Sequence, residues 1–347
     1  MKACIVTVYN STNCGSFLQA YSLRYALEQL GAEVSFLETK VKNNRSIMLD
    51  KSLRYLKMRK PGRIKPEYRK YKNFKDCLKS FRLCRMNKSE LSQQDIFVLG
   101  SDEIWNVSRE IIRKADIFWG CGLEGNIVSY APSVNTATED DMAQAPYAEL
   151  ALECMKSISV RDSYSKELIS KYTDKHIEIL CDPTFLLPME EYDKLEGSCP
   201  FDDFILIYST AAKFTDEDKK AIKEYAKRTG KKLVAFPHDL KWCDAHGIAH
   251  PLNAIAYFKK AHCVITDTFH GTALSLIFGK DFLALPRGNT KVRELLEYFE
   301  LPQLMREDAL DIGNYFSEVT YSREKLSERI MQEREKSMAY LKKALEG

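Results

Sequence analysis

The chain lacks any uninterrupted apolar stretch approaching the roughly 20 residues that a spanning helix needs, which excludes that mode of membrane insertion. Its ten cysteines include no C-x-x-C pair, and its six histidines show no ligand spacing. Neither a zinc site nor a disulfide framework is therefore indicated, and no metal is required. Cys4, Cys181 and Cys263 lie in apolar strand-like runs, as buried thiols of a reducing compartment do. Dinucleotide G-x-G-x-x-G and Walker spacings are missing, so neither nucleotide loop is supported. There is no internal repeat and no low-complexity tract. Met1-Lys2 leads directly into the strand-like Ala3 to Val8, without the apolar h-region and cleavage site of a signal peptide. These absences predict a cytoplasmic globular protein.

What is present narrows the class. At 347 residues the chain is too long for one typical core, so two domains are expected. The net charge of +3 is nearly balanced, but its distribution is uneven. Lys40 to Lys88 holds 18 lysines and arginines against three acids, Asp50, Glu67 and Asp76, with Tyr55, Tyr68, Tyr71, Phe74 and Phe81 interleaved. Such a segment suits an anionic membrane surface, a nucleic acid, or water as a solvated helical face. A solvated face is the default. With no nucleic-acid motif elsewhere, nucleic acid ranks last.

Strands alternate with helices as in doubly wound α/β folds. Lys2 to Val8, a helix from Gly15 or Ser16 to Gly31, and Glu33 to Leu37 make one β-α-β unit. Ile96 to Leu99, Ile127 to Tyr130, Ser157 to Val160 and Ile177 to Leu180 read as short strands. A second series runs from Phe204 to Tyr208 through a helix over Thr215 to Arg228, then Lys232 to Phe236, a helix around Leu252 to Lys260, Cys263 to Ile265, and Phe282 to Leu285. Turn residues between Asp182 and Pro200 mark the linker. The predicted organisation is a domain over 1–195 with a basic helical insertion at 40–90, and a domain over 201–320. A closing helix over 321–347 would pack across both.

Polar clusters gather at the expected carboxyl ends of strands, where open α/β sheets bind ligands. In Ile265 to Leu276, the strand gives way to Asp267, His270 and Gly271-Thr272 before a helix over Ala273 to Phe278. Free N–H groups and the dipole there favour phosphate or carboxylate; the plainer reading is an ordinary cap by Asp267 or Thr268. Asn10 to Ser16 joins the first strand to the first helix with small residues. Gly100-Ser101-Asp102-Glu103-Ile104-Trp105-Asn106 follows another strand, and is equally a glycine turn with an aspartate cap and Trp105 in the core. Arg161, before Asp162, suits an anion or a simple ion pair.

Taken together, these clusters resemble the polysaccharide pyruvyl transferase family. The resemblance runs from residue 1 to about residue 305, through Asn10 to Tyr21, Gly100 to Asn106, Ser129-Tyr130-Ala131-Pro132-Ser133, Ser159 to Asp162, Cys181-Asp182-Pro183-Thr184 and Thr266 to Ala273. It implies two Rossmann-like domains facing a central cleft, like GT-B glycosyltransferases. It also implies transfer of pyruvate from phosphoenolpyruvate, as co-substrate and without a resident cofactor, to hydroxyls of a sugar in a cell-surface polysaccharide or its lipid-linked precursor.

That chemistry assigns roles. His270 is the general acid for the donor's enol methylene; Asp267 orients it or takes a sugar proton, and Asp102, or Asp239 beside His238, is a further base. Donor anions fall to Arg161 and to Gly271-Thr272. Several family members carry an arginine two residues before the histidine, where this chain has Thr268, so Arg287, Lys291 or Arg293 would supply the charge. Asn13, Gly15, Ser16, Gln19, Ser101, Trp105, His238 and Asp239 are expected on the acceptor side, His238-Asp239 being equally a solvated loop pair. With a lipid-linked acceptor, residues 40–88 would hold the enzyme peripherally at the anionic inner face of the membrane. Two rivals remain: a GT-B-like glycosyltransferase with another donor, and a non-catalytic glycan-binding protein.

Overall fold

A computed structural model describes residues 1–39, 44–59, 61–209 and 214–346. Lys40, Lys42 and Lys60 of the basic segment, and Gly347 of the expected closing helix, lie outside the described residues. Two compact units divide the chain, Met1–Leu187 with Glu333–Gly347 and Pro188–Gln332.

In the first unit, strands β1 (Lys2–Val6), β2 (Glu33–Leu37), β3 (Leu83–Cys84), β4 (Ile96–Leu99) and β5 (Asn126–Ser129) form a parallel sheet in the order β3-β2-β1-β4-β5. Ile5 lies opposite Phe36 on one side and Val98 on the other. The central runs are buried throughout, as expected of parallel strands covered on both faces. Strands β6 (Ile158–Val160) and β7 (Ile177–Ile179) pair in parallel, and a Val128–Ser157 bridge joins them to the edge at β5. The basic insertion folds as two helices, Asn44–Lys57 and Ile64–Leu78, before β3. Phe81, which follows them, stacks on Phe36 at 4.3 Å and on Phe17 at 5.3 Å, fastening the insertion to this unit's core.

In the second unit, β8 (Phe204–Ser209), β9 (Leu233–Pro237), β10 (Ala245–His246), β11 (Ala261–Thr266) and β12 (Phe282–Ala284) run parallel in the order β10-β9-β8-β11-β12. Renumbered within each unit, both sheets read 3-2-1-4-5, the order of a Rossmann-like doubly wound sheet. The division falls at Leu187/Pro188 rather than at 195 because helix Met189–Leu195 is held within the second unit. Lys259 Nζ reaches Asp193 at 2.8 Å and also pairs with Glu196, and Tyr192 packs edge-on against Phe278 at 5.1 Å.

Helix Arg323–Glu346 is shared between the units at Gln332/Glu333. Its start is tied to the second unit by Arg323, which bonds Gly279 O and Asp281. From Glu333 onward it belongs to the first, where the Tyr340 hydroxyl donates to Ser129 O at 2.8 Å and Lys336 to Ile179 O at 2.7 Å. All ten cysteines are free thiols. Among the described residues no helix is long and apolar enough to cross a membrane.

Candidate functional site

The turn after β11 is built by hydroxyls. Thr268 is extended (φ −121°, ψ 150°) and caps helix Phe269–Ile277, its Oγ1 accepting the Gly271 N–H at 2.9 Å. The Thr268 N–H donates to Thr266 Oγ1 at 3.1 Å, and the Thr272 N–H donates to Thr268 O at 3.0 Å. The helix thus starts four residues before the expected Ala273, and His270 stands in its first turn. The N–H groups of Gly271 and Thr272 are engaged within the helix, which differs from the anion cradle expected of them. Gly271 serves packing instead: a Cβ there would lie 2.0 Å from Thr266 Oγ1 and 2.8 Å from Tyr208.

Asp267 and His270 are both buried, at 7% and 9% exposure. Ser209, at the end of β8, donates its hydroxyl to Asp267 Oδ2 at 2.9 Å, and the Asn289 amide reaches Asp267 O at 3.5 Å. The Phe269 ring meets the His270 imidazole edge-on at 5.3 Å. Asn289 precedes helix Thr290–Tyr298, which carries Lys291 and Arg293. Arg293 pairs with Glu307 at 2.8 Å, both exposed.

Arg287 has its partner in the fold, Asp218. Asp218 also accepts from the Thr215 N–H at 2.8 Å and hydroxyl at 3.0 Å, and from the Ala309 N–H at 2.9 Å. Burial pushes its carboxyl up, but these donors and Arg287 outweigh that and hold it below the usual aspartate value of 3.8. Asp239 is exposed and pairs with Lys241 at 3.1 Å and with His246 at 3.8 Å.

In the first unit, hydrogen bonds draw the ends of β1 and β4 together. The Thr7 hydroxyl donates to Ser101 O at 3.0 Å. The Gln19 amide donates to Thr7 Oγ1 at 3.3 Å and to Ser16 O at 3.0 Å, and its oxygen accepts the Ser101 N–H at 3.3 Å. Gln19 and Ser101 are fully buried, so both position the turn from beneath. Asp102 emerges from that turn at φ 71°, part-exposed, with Ser16 Oγ donating to its Oδ2 at 2.7 Å and the Glu103 N–H to its Oδ1 at 2.9 Å. Gly100 is obligatory: at φ +132° a Cβ would lie 2.0 Å from Tyr130 O. Asn13 caps helix Cys14–Gln29 by accepting the Gly15 N–H at 2.9 Å. Trp105 is a core residue, stacked on Trp119 at 4.5 Å with its indole N–H donated to Phe118 O at 3.0 Å.

Arg161, expected to bind donor, is buried and pairs with Asp182 Oδ2 at 3.0 Å. Asp182 is further held by the Thr184 N–H and hydroxyl at 3.1 and 2.8 Å. Asp162 accepts from the Ser133 hydroxyl at 2.6 Å and the Ser165 N–H at 2.7 Å. Burial opposes the guanidinium's charge, but Asp182, then Asp102, Asp162 and Glu103, keep it cationic. Arg161 thus serves as the counter-charge of buried Asp182. Asp182, Ser209 and Asp218 carry no assigned role in the sequence reading. Asp182 lies in the Cys-Asp-Pro-Thr run, and Asp218 closes a Thr-x-x-Asp capping box as its fourth residue.

Grouped by unit, the structure collects Asp102, Ser101, Ser16, Gln19, Asn13, Gly15 and Trp105 in the first. Asp267, His270, Gly271, Thr272, Arg287, Lys291, His238 and Asp239 fall in the second. Two solved structures share the fold across nearly the whole chain. Arabidopsis thaliana UGT89C1 complexed with UDP-L-rhamnose superposes with a TM-score of 0.54, at 12% identity over 99% of this chain and 98% of that one. The UDP-GlcNAc 2-epimerase of Methanocaldococcus jannaschii gives 0.52, at 12% identity over 95% and 92%. At such identity the likeness defines the fold, which is GT-B. No curated protein matches the sequence. The family model "Polysaccharide pyruvyl transferase" matches residues 13–289, a span that includes both Asp102 and His270. The chain belongs to the polysaccharide pyruvyl transferase family.

Proposed function

We propose that the protein transfers a pyruvyl group from phosphoenolpyruvate to two hydroxyls of a sugar in a cell-envelope polysaccharide or its lipid-linked precursor, forming a ketal. The observation that carries this reading is His270 in the first turn of the Phe269 helix, three residues after the Ser209-held Asp267, inside the family match. Reaction begins when a sugar hydroxyl attacks C2 of the enol phosphate, its proton passing to a base, while the terminal methylene takes a proton and becomes a methyl. His270 supplies that proton. The C2–phosphate bond then breaks, phosphate leaves with its electron pair, and the second hydroxyl closes the ring as its proton passes to a base. Asp102, part-exposed and oriented by Ser16, is suited to accept a sugar hydroxyl proton. The phosphate and carboxylate of the donor call for cations, and Arg287 and Lys291 are the candidates in the same unit as His270. No resident cofactor enters the scheme.

Titration calorimetry with phosphoenolpyruvate, without and with a glycan acceptor, tests the reading, followed by phosphate release from wild type and His270→Ala. Binding retained in the variant with turnover lowered about 100- to 10,000-fold supports an acid role. Absence of phosphoenolpyruvate binding under both conditions overturns it. A nucleotide sugar bound in its place would then favour the glycosyltransferase alternative, which the Thr268 departure already singles out. Glycan binding alone would favour a non-catalytic role.

A further inference from the structure

The helix pair of the basic insertion carries an exposed apolar stripe that its own fold does not use. Leu49, Leu53 and Leu56 are 48%, 58% and 54% exposed. Their i, i+4, i+7 spacing puts them on one face of helix Asn44–Lys57. The opposite side of that helix is satisfied. Lys51 Nζ reaches Glu67 Oε2 at 3.2 Å, and the Tyr55 hydroxyl reaches Glu67 Oε1 at 3.4 Å, both on helix Ile64–Leu78. Exposed Arg54 and Lys57 border the leucines. On the second helix, Lys65, Arg69 and Lys72 repeat the i, i+4, i+7 spacing on an exposed face, with Tyr68 and Lys75 beside it; Asp76 follows on the same face and is paired at 2.7 Å with Lys79, just past the helix end. Phe74 and Phe81 are buried and anchor the pair to the first unit, so these stripes are presented on a fixed base.

We propose that this helix pair docks on an anionic lipid surface, with Leu49, Leu53 and Leu56 inserted at the headgroup–acyl boundary and the basic stripe against the headgroups. A purely solvated face has no reason to space three leucines this way. A second copy of the chain would bring a like-charged surface against this one. Nucleic acid would use the cations but leave the leucines in water. Lipid accounts for both stripes, since interfacial helices combine buried apolar area with attraction to anionic headgroups. The inference is independent of the donor and of pyruvyl transfer.

The test is co-sedimentation of the full chain with vesicles of phosphatidylcholine alone and of phosphatidylcholine mixed with phosphatidylglycerol. Wild type should partition onto the mixed vesicles, less so as salt rises. Replacing Leu49, Leu53 and Leu56 by Ser should weaken binding about tenfold or more. Replacing Lys65, Arg69 and Lys72 by Gln should weaken it about 100-fold and flatten the salt dependence. Thermal melts check that the variants fold. As an independent reading, a Leu53→Trp variant should blue-shift its fluorescence on adding mixed vesicles. Equal partitioning onto both vesicles, wild-type binding by the Ser variant, or no blue shift overturns the proposal. So does a dimer, or a complex with RNA, that the Ser variant disrupts while wild type ignores lipid.

Discussion

Both units run their first five strands in the order 3-2-1-4-5, and in both an aspartate follows the fourth strand. The surroundings of these two acids differ. Asp102 leaves β4 through a glycine turn in a left-handed conformation and stays partly exposed, held by the Ser16 hydroxyl and the Glu103 N–H. Asp267 leaves β11 at a bend, is buried, and is followed at once by a hydroxyl-capped helix bearing His270. Shared topology therefore accounts for where a polar group emerges, while the turn chemistry decides what it can do. One turn presents carboxylates to hydroxyls; the other sets an imidazole beside a helix start. The same contrast runs through the arginines: Arg161 balances several acids in a closed interior, whereas Arg287 closes a local cap around Asp218.

Removing each arginine would sharpen that contrast. Arg161→Ala leaves Asp182 buried without its cation and should cost about 3–5 kcal/mol, read as a lowered urea midpoint at unchanged m-value. Arg287→Ala should cost less, about 1–3 kcal/mol, because Asp218 keeps its Thr215 and Ala309 donors. The Asp218 contribution has a defined pH sign. Its carboxyl is held below the unfolded value of 3.8, so the stabilisation is present at neutral pH and above, and is lost as pH falls through the folded value. Acid titration of stability should therefore be shallower in Arg287→Ala than in wild type.

The two turn glycines compare next. Alanine at Gly100 meets the Tyr130 carbonyl oxygen, a backbone atom, at a positive φ. Alanine at Gly271 meets the Thr266 and Thr268 hydroxyls that hold the turn and the Tyr208 ring, side-chain atoms at an ordinary φ. Both should lose about 1–3 kcal/mol, with Gly100→Ala the greater loss in thermal melts. Equal losses would mean that the two turns are equally adaptable. The smallest effect belongs to the cap: Thr268→Ala should cost about 1 kcal/mol. Thr268→Arg gives up the same cap but introduces the cation that the family resemblance would place there. A rise in phosphoenolpyruvate affinity would locate donor phosphate at this helix start; no rise would locate it elsewhere.

Much of this was legible because parallel strands buried on both faces carry unbroken apolar runs. Glu33–Leu37 and Ile96–Leu99 fall on the residues expected, and other edges move by a residue or two. Strands β3 and β10, two residues each, are too short to show periodicity. The motifs around Asp102, Asp267 and His270 stood out because a strand-to-helix turn of small polar residues is a local pattern. The cap is open in the sequence between Asp267 and Thr268, and the bond from the Gly271 N–H to Thr268 Oγ1 assigns it to Thr268.

By itself, the order of residues determined the alternation of strand and helix, the two parallel sheets and the polar ends of their strands, since burial period and turn chemistry are short-range properties. Only the tertiary structure decided which charges are spent. Arg161 meets Asp182 across 21 positions, Ser209 meets Asp267 across 58, and Arg287 meets Asp218 across 69. A buried charge or carboxylate takes whatever partner the packed strand ends bring within hydrogen-bond reach, and that distance is a property of the folded chain.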